Sequence, residues 1–204
     1  MAGKRAKRTT GTTARKGPTT FHDPVAGVVK ASVFCATSLD GYIARSDGGI
    51  DWLPSATEVE PHGYDEFFAS VDAVVIGRGT LETVLGFGGW VYGKKPVVVL
   101  SQSLTTLTVP EQAVCELMAG DPHDIVARLA AHGYRHVYVD GGVTIQRFLE
   151  ANLIDRMTIT RVPVLIGSGI PLFGALSHDV RWRHVRTTSY NSGLVQSEYE
   201  RVSR

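Results

Sequence analysis

The chain is poor in cysteine: Cys35 and Cys115 are the only two in 204 residues. They are too few for a disulfide framework and lack the spacing of a metal site. Both fall in apolar, strand-like runs, so buried free thiols are expected, in keeping with a reducing cytoplasm. No apolar run approaches the roughly 20 residues that cross a bilayer. None has the charged-then-apolar layout of a secretory signal. The seven histidines form no metal set: His132 and His136 are four apart, but Gly133 breaks the helix between them, and no metal is expected. A G-x-S-x-G nucleophile elbow is also missing.

Acid is absent from the first 20 residues, which carry Lys4, Arg5, Lys7, Arg8, Arg15 and Lys16. The formal net charge of +1 hides this asymmetry, because the rest of the chain has 15 basic against 20 acidic residues. Residues 1–24, rich in Thr, Gly and Ala, are expected to be a disordered basic tail. Such a tail can touch nucleic acid, but the acidic body argues against a nucleic-acid-binding domain. What remains, residues 25–204, is long enough for one domain with a real core.

Within that body, apolar β-type runs alternate with amphipathic helical ones. Strands are expected at 28–36, 73–76, 96–100, 113–117, 136–139 and 156–163. Helices are expected at 64–70, at 80–85, from Asp121 to Gly133, and after Gly142. Asp121-Pro122-His123-Asp124 reads as a helix start, with Asp at the cap and Pro at the first position. Residues 38–54 read as a long loop. Two last strands, 180–190 and 194–202, are joined by the hairpin turn Asn191-Ser192-Gly193. Strands separated by crossover helices mean a mainly parallel sheet in an α/β fold, with the C-terminal hairpin as an antiparallel edge.

Three segments carry chemistry. Val139-Asp140-Gly141-Gly142-Val143-Thr144 is a strand running into a glycine pair and then a helix, with Ile145, Phe148 and Leu149 on one face. Such a turn lets backbone approach a ligand, and the helix N-terminus suits a phosphate. Ile76-Gly77-Arg78-Gly79-Thr80 repeats the arrangement, with Arg78 either a bidentate phosphate ligand or a surface arginine at a tight turn. It is no Rossmann fingerprint, because Glu82 stands where the third glycine belongs. Val99-Leu100-Ser101 ends a strand where open α/β sheets bind ligands, although Ser101 also suits simple turn chemistry. Gly88 to Lys94 fits GxxxxGK, but Lys95 and Pro96 follow where a P-loop needs Ser or Thr and a helix.

In this order and spacing the three segments resemble the dihydrofolate reductase-like superfamily, over about residues 28–202. The closer likeness is to the reductase domain of bacterial riboflavin biosynthesis, the RibD C-terminal domain branch. Ala36 to Ala44, containing Ser38-Leu39-Asp40-Gly41, is similar to the opening of that branch. Gly49-Ile50-Asp51-Trp52-Leu53-Pro54 resembles the mobile loop over the nicotinamide. Leu153 to Gly167 and Pro171-Leu172-Phe173 resemble the riboflavin type. The likeness implies a three-layer fold, a mainly parallel mixed sheet flanked by helices, and NADPH as cofactor. Arg78, Ser101 and Thr80 would select its 2′-phosphate, with Gly77, Gly79 and Leu100 beside them. Ala36 and Ile43 would border the nicotinamide. Asp140, Gly141, Gly142, Val143 and Thr144 would lie under the pyrophosphate. A homodimer through the C-terminal hairpin and residues 162–173 is implied as well.

The chain departs from its relatives in two ways. It has no H-x-E and no P-C-x-x-C, so the deaminase half is absent. The substrate-gripping "DDP" segment is replaced by Leu85-Gly86-Phe87-Gly88-Gly89-Trp90. The expected activity is hydride transfer from NADPH to a C=N or C=O bond of a small pterin- or pyrimidine-like metabolite. Asp40, Asp65 and Glu66 are the candidate proton donors, with a bound water as rival. Each also has a plain reading, Asp40 as a turn residue and the other two as helix-face charges. Trp52 is either a lid over the ring or core. Two other classes compete: a non-catalytic NADP(H)-binding protein with a degenerate substrate site, and a basic-tailed nucleic-acid-associated protein.

Overall fold

The structure, a computed structural model, describes residues 29–55 and 57–202. The tail expected over residues 1–24 lies outside the described residues. Ten strands and four helices follow one another: β1 (Lys30–Thr37), β2 (Tyr42–Ala44), α1 (Tyr64–Ser70), β3 (Ala73–Gly77), α2 (Arg78–Gly86), β4 (Val97–Leu100), β5 (Cys115–Met118), α3 (Pro122–Ala131), β6 (His136–Asp140), α4 (Gly142–Glu150), β7 (Arg156–Arg161), β8 (Ile170–Pro171), β9 (Trp182–Ser189) and β10 (Val195–Arg201). Eight strands form one sheet in the order β5-β4-β3-β6-β1-β7-β10-β9. The first six in that order run parallel. β10 is antiparallel to β7, and β9 to β10. The expected mainly parallel α/β sheet with an antiparallel C-terminal pair is what the chain forms.

The period-2 alternation of the strands divides the core in two. On one face Val33, Val75 and Val139 pack with Ile125 and Leu129 of α3 and with Ile145, Phe148 and Leu149 of α4. On the other, Phe34, Val74, Ile76 and Tyr138 pack with Leu81 and Val84 of α2, with Tyr92, and with Tyr64, Phe67 and Phe68 of α1. Helices thus cover both faces in three layers, as parallel strands require. Local signals set the helix ends. The Asp121 side chain accepts from the His123 amide at 2.9 Å to open α3. Gly133, at φ +87°, follows α3 in the left-handed region that favours glycine.

Three expectations are adjusted. The stretch 38–54 is not all loop: β2 pairs antiparallel with β8 in a separate two-stranded ribbon. α2 starts two residues earlier than the Thr80 start expected, at Arg78 itself. The two cysteines are free but only half-buried; Cys115 opens the edge strand β5.

Candidate active site at the carboxyl edge of the sheet

The parallel strands end level. Gly77 stands opposite Leu100, and Ile76 opposite Asp140. The expected cofactor segments therefore share one edge, the position where open α/β sheets bind ligands. Two nine-residue helices start there on neighbouring strands, α2 after Gly77 and α4 after Gly141. Neither start has a side-chain cap, so two positive dipole ends and their amide donors lie side by side.

The two turns interlock. A Cβ at Gly141, whose φ is +89°, would stand 2.1 Å from the Thr80 hydroxyl oxygen. A Cβ at Gly77 would stand 2.9 Å from that of Thr144. The third residue of each helix thus fills the space over the other helix's glycine. Gly142 is held as tightly, with Ile170 at 3.0 Å and Ile43 at 3.1 Å from a built Cβ. Ile43 and the β2–β8 ribbon therefore lie against the start of α4. The glycines are required by the protein's own packing, a reason that the sequence pattern alone does not reveal. Gly142 and Thr144 are buried, while Val143 is 69% exposed.

Arg78 and Gly79 are exposed, and Arg78 Nε donates to Glu82 Oε1 at 2.7 Å. Ser101 follows β4 and does turn work, its Oγ accepting from the Leu104 amide at 3.1 Å.

The candidate acids separate. Asp40 is exposed and accepts from the Gly167 amide at 2.8 Å and the Ile166 amide at 3.4 Å, tying the β1–β2 turn to the β7–β8 loop. The Ser38 hydroxyl and these amides hold its carboxyl below the usual range. Asp65 and Glu66 are exposed in the first turn of α1, whose Tyr64, Phe67 and Phe68 face inward. Asp140 differs from all three. Alternation puts it on the face of β6 that carries Tyr138, the α1 side. Burial pushes its carboxyl above the usual range, with the Gly141 amide at 2.8 Å opposing. The same burial and the charge of Asp140 raise the nearby Tyr64 phenol to about 12. The Tyr138 hydroxyl is committed to the Phe34 carbonyl at 2.8 Å. The sequence signal for Asp140 was its place before the glycine pair, which suggested the cofactor turn and gave no hint of its desolvation.

Ala36 is half-buried at the end of β1, and alternation places it on the face of Phe34 and hence of Asp140. Trp52 lies in the β2–α1 loop, and its indole N–H is buried without a protein partner. The loop reaches α2: a Cβ at Gly48 would lie 3.3 Å from the Thr83 hydroxyl. Among the described residues no group of three or more His, Cys, Asp or Glu gathers to hold a metal ion. No helix there is long and apolar enough to cross a membrane.

The fold is that of dihydrofolate reductase-like proteins, and the pattern of the RibD C-terminal domain matches residues 30–196. The chain belongs to the RibD C-terminal domain family. It is 30% identical over 189 residues to YwjB of Bacillus subtilis (strain 168), a protein of uncharacterised function, covering 85% of this chain and 98% of that one. It is 42% identical to a Shewanella sp. PV-4 protein of known structure, provisionally assigned to riboflavin biosynthesis, with a TM-score of 0.79 and coverage of 86% and 100%. Dihydrofolate reductase from Enterococcus faecalis, solved with NADP(H), shares the fold at a TM-score of 0.63 and 17% identity, with coverage of 87% and 99%.

Proposed function

We propose that this protein is an NADP(H)-dependent reductase acting on a C=N or C=O bond of a small heterocyclic metabolite. The observation that carries the reading is the pair of uncapped helix starts on β3 and β6, with Arg78 at the first. Anions are favoured at such ends, and a planar guanidinium matches phosphate oxygens. The site fits a dinucleotide phosphate by its donor chemistry: the amide groups of two helix starts, the hydroxyls of Thr80 and Thr144, and one arginine. Bound NADPH supplies the hydride.

The chain's own residues do the rest. Arg78, with Thr80 and Ser101, holds the 2′-phosphate. The Gly141–Thr144 turn holds the pyrophosphate, and Ala36 and Ile43 flank the nicotinamide. The β2–α1 loop, with Trp52, excludes water. Asp140 is the proton donor. It lies on the α1 face of the sheet with Tyr138, and desolvation holds its carboxyl above the usual carboxylate range, whereas hydrogen bonds hold that of Asp40 below it. The acceptor oxygen or nitrogen of the substrate takes that proton. The protein works as a homodimer paired through β9 and β10, an extension of the sheet in which every β9 residue after Trp182 is exposed.

Isothermal titration with NADPH and NADH, on the wild type and Arg78→Ala, tests the cofactor. The expected result is preference for NADPH that the mutation abolishes. Binding of neither nucleotide overturns the proposal. Loss of NADPH absorbance with candidate pterins and pyrimidines then tests turnover, and its absence with every substrate alongside tight binding favours the non-catalytic alternative.

A further inference from the structure

Arg78 does not sit alone at the start of α2. Glu82, one helical turn further on, accepts from its Nε at 2.7 Å, and both side chains are more than half exposed. An exposed i,i+4 pair adds little to stability, so stability alone gives poor reason for this acid. Its effect on the guanidinium is larger. Of the five N–H donors of arginine, the carboxylate takes the one on Nε, which fixes the plane of the fork and leaves the four on its two terminal nitrogens for a ligand. A long side chain ordered before the ligand arrives loses less freedom when it binds.

We propose, resting on the NADP(H) reading above, that Glu82 is a positioning residue for cofactor choice. By holding Nε it presents the terminal N–H pair of Arg78 to the 2′-phosphate. Its negative charge also faces that phosphate across solvent. A carboxylate on Nε and a phosphate on the terminal nitrogens of one guanidinium lie within the roughly 8 Å screening length at 0.15 M salt, so this repulsion offsets part of the gain, and the ordering of the fork outweighs it.

The test is titration of the full chain with NADPH and NADH at 0.15 M salt, comparing wild type, Glu82→Ala, Glu82→Gln, Arg78→Ala and the Arg78→Ala/Glu82→Ala pair. Glu82→Ala is expected to weaken NADPH about three- to tenfold, the worth of ordering one such side chain, and to leave NADH unchanged. Glu82→Gln keeps an oxygen for Nε and restores most of the NADPH affinity. With Arg78 already removed, losing Glu82 has no further effect. Unchanged or tighter NADPH binding in Glu82→Ala, equal weakening of both nucleotides, or additivity of the two substitutions overturns the proposal. Wild type that prefers NADPH through Arg78 while any of these holds sinks the Glu82 role alone. Wild type that binds neither nucleotide sinks both readings.

Discussion

Asp140 holds a proton more tightly in the folded chain than in the unfolded one, because burial penalises its charged form. Folding stability therefore declines as pH rises from the ordinary carboxylate range, about 3.9, through the raised folded value. Asp140→Asn removes that titration while keeping the shape. Its melting temperature is expected to exceed that of wild type by a margin that grows as pH rises from about 3.9 through the raised folded value, as read by calorimetry over a pH series. Parallel profiles for the two proteins would mean that Asp140 is not desolvated. Under the proposed function the same substitution is expected to lower kcat while nucleotide affinity holds. Asp40 behaves in the opposite sense. Its carboxyl is held low by the Ser38 hydroxyl and the amides of Gly167 and Ile166, so its contribution is present above the unfolded value and lost as acid protonates it. The residue types of both aspartates were plain from sequence. Their difference was not, because desolvation depends on which face of a strand a side chain meets and on what packs over it.

Helix α4 ties the site to the core. Ile145 and Phe148 are fully buried, and Leu149 nearly so, while Val143 at the same helix start stays exposed. Phe148→Ala leaves a cavity that costs about 3–5 kcal/mol, and a matching loss in urea unfolding is the expected outcome. Gly141→Ala adds two separate penalties, a positive φ of +89° and overlap with the Thr80 oxygen. The backbone part is roughly 1–3 kcal/mol. Thr80→Ala in the same chain removes the overlap and leaves the backbone strain, so the two substitutions are expected to be non-additive in a double-mutant cycle. Strict additivity would show that the two turns do not touch. The helices were legible because their caps and stripes are local: Asp121 and Pro122 for α3, the three-residue apolar face for α4. The β2–β8 ribbon was not. Strands of three and two residues carry no period, and what sets them is the long-range seat of Ile43 and Ile170 on Gly142.

The whole molecule is a three-layer α/β fold whose outermost strand, β9, is exposed beyond Trp182. β10 pairs with β7 on one side and β9 on the other, and the ladder there is tied by the pairs Arg156–Glu200, Arg183–Glu200 and Arg186–Glu198. Val185 and Val195 are each 39% exposed on this extension. Two-fold association through it is expected to give twice the chain mass in sedimentation equilibrium, with Val185→Arg shifting the balance to monomer. A monomer at every concentration would remove the dimer from the proposal. A mainly parallel sheet and the terminal hairpin were readable from the alternation of apolar runs, whereas the order of the strands and the interlock between the β3–α2 and β6–α4 turns, which joins residues more than sixty positions apart, have no local signature. That interlock has a historical consequence. Since Thr80 fills the space over Gly141 and Thr144 the space over Gly77, neither turn is free to drift by itself. Among descendants of a common ancestor, a larger residue at 141 is expected only in company with a smaller one at 80, and likewise for 77 and 144, so that the four positions are inherited as two linked pairs.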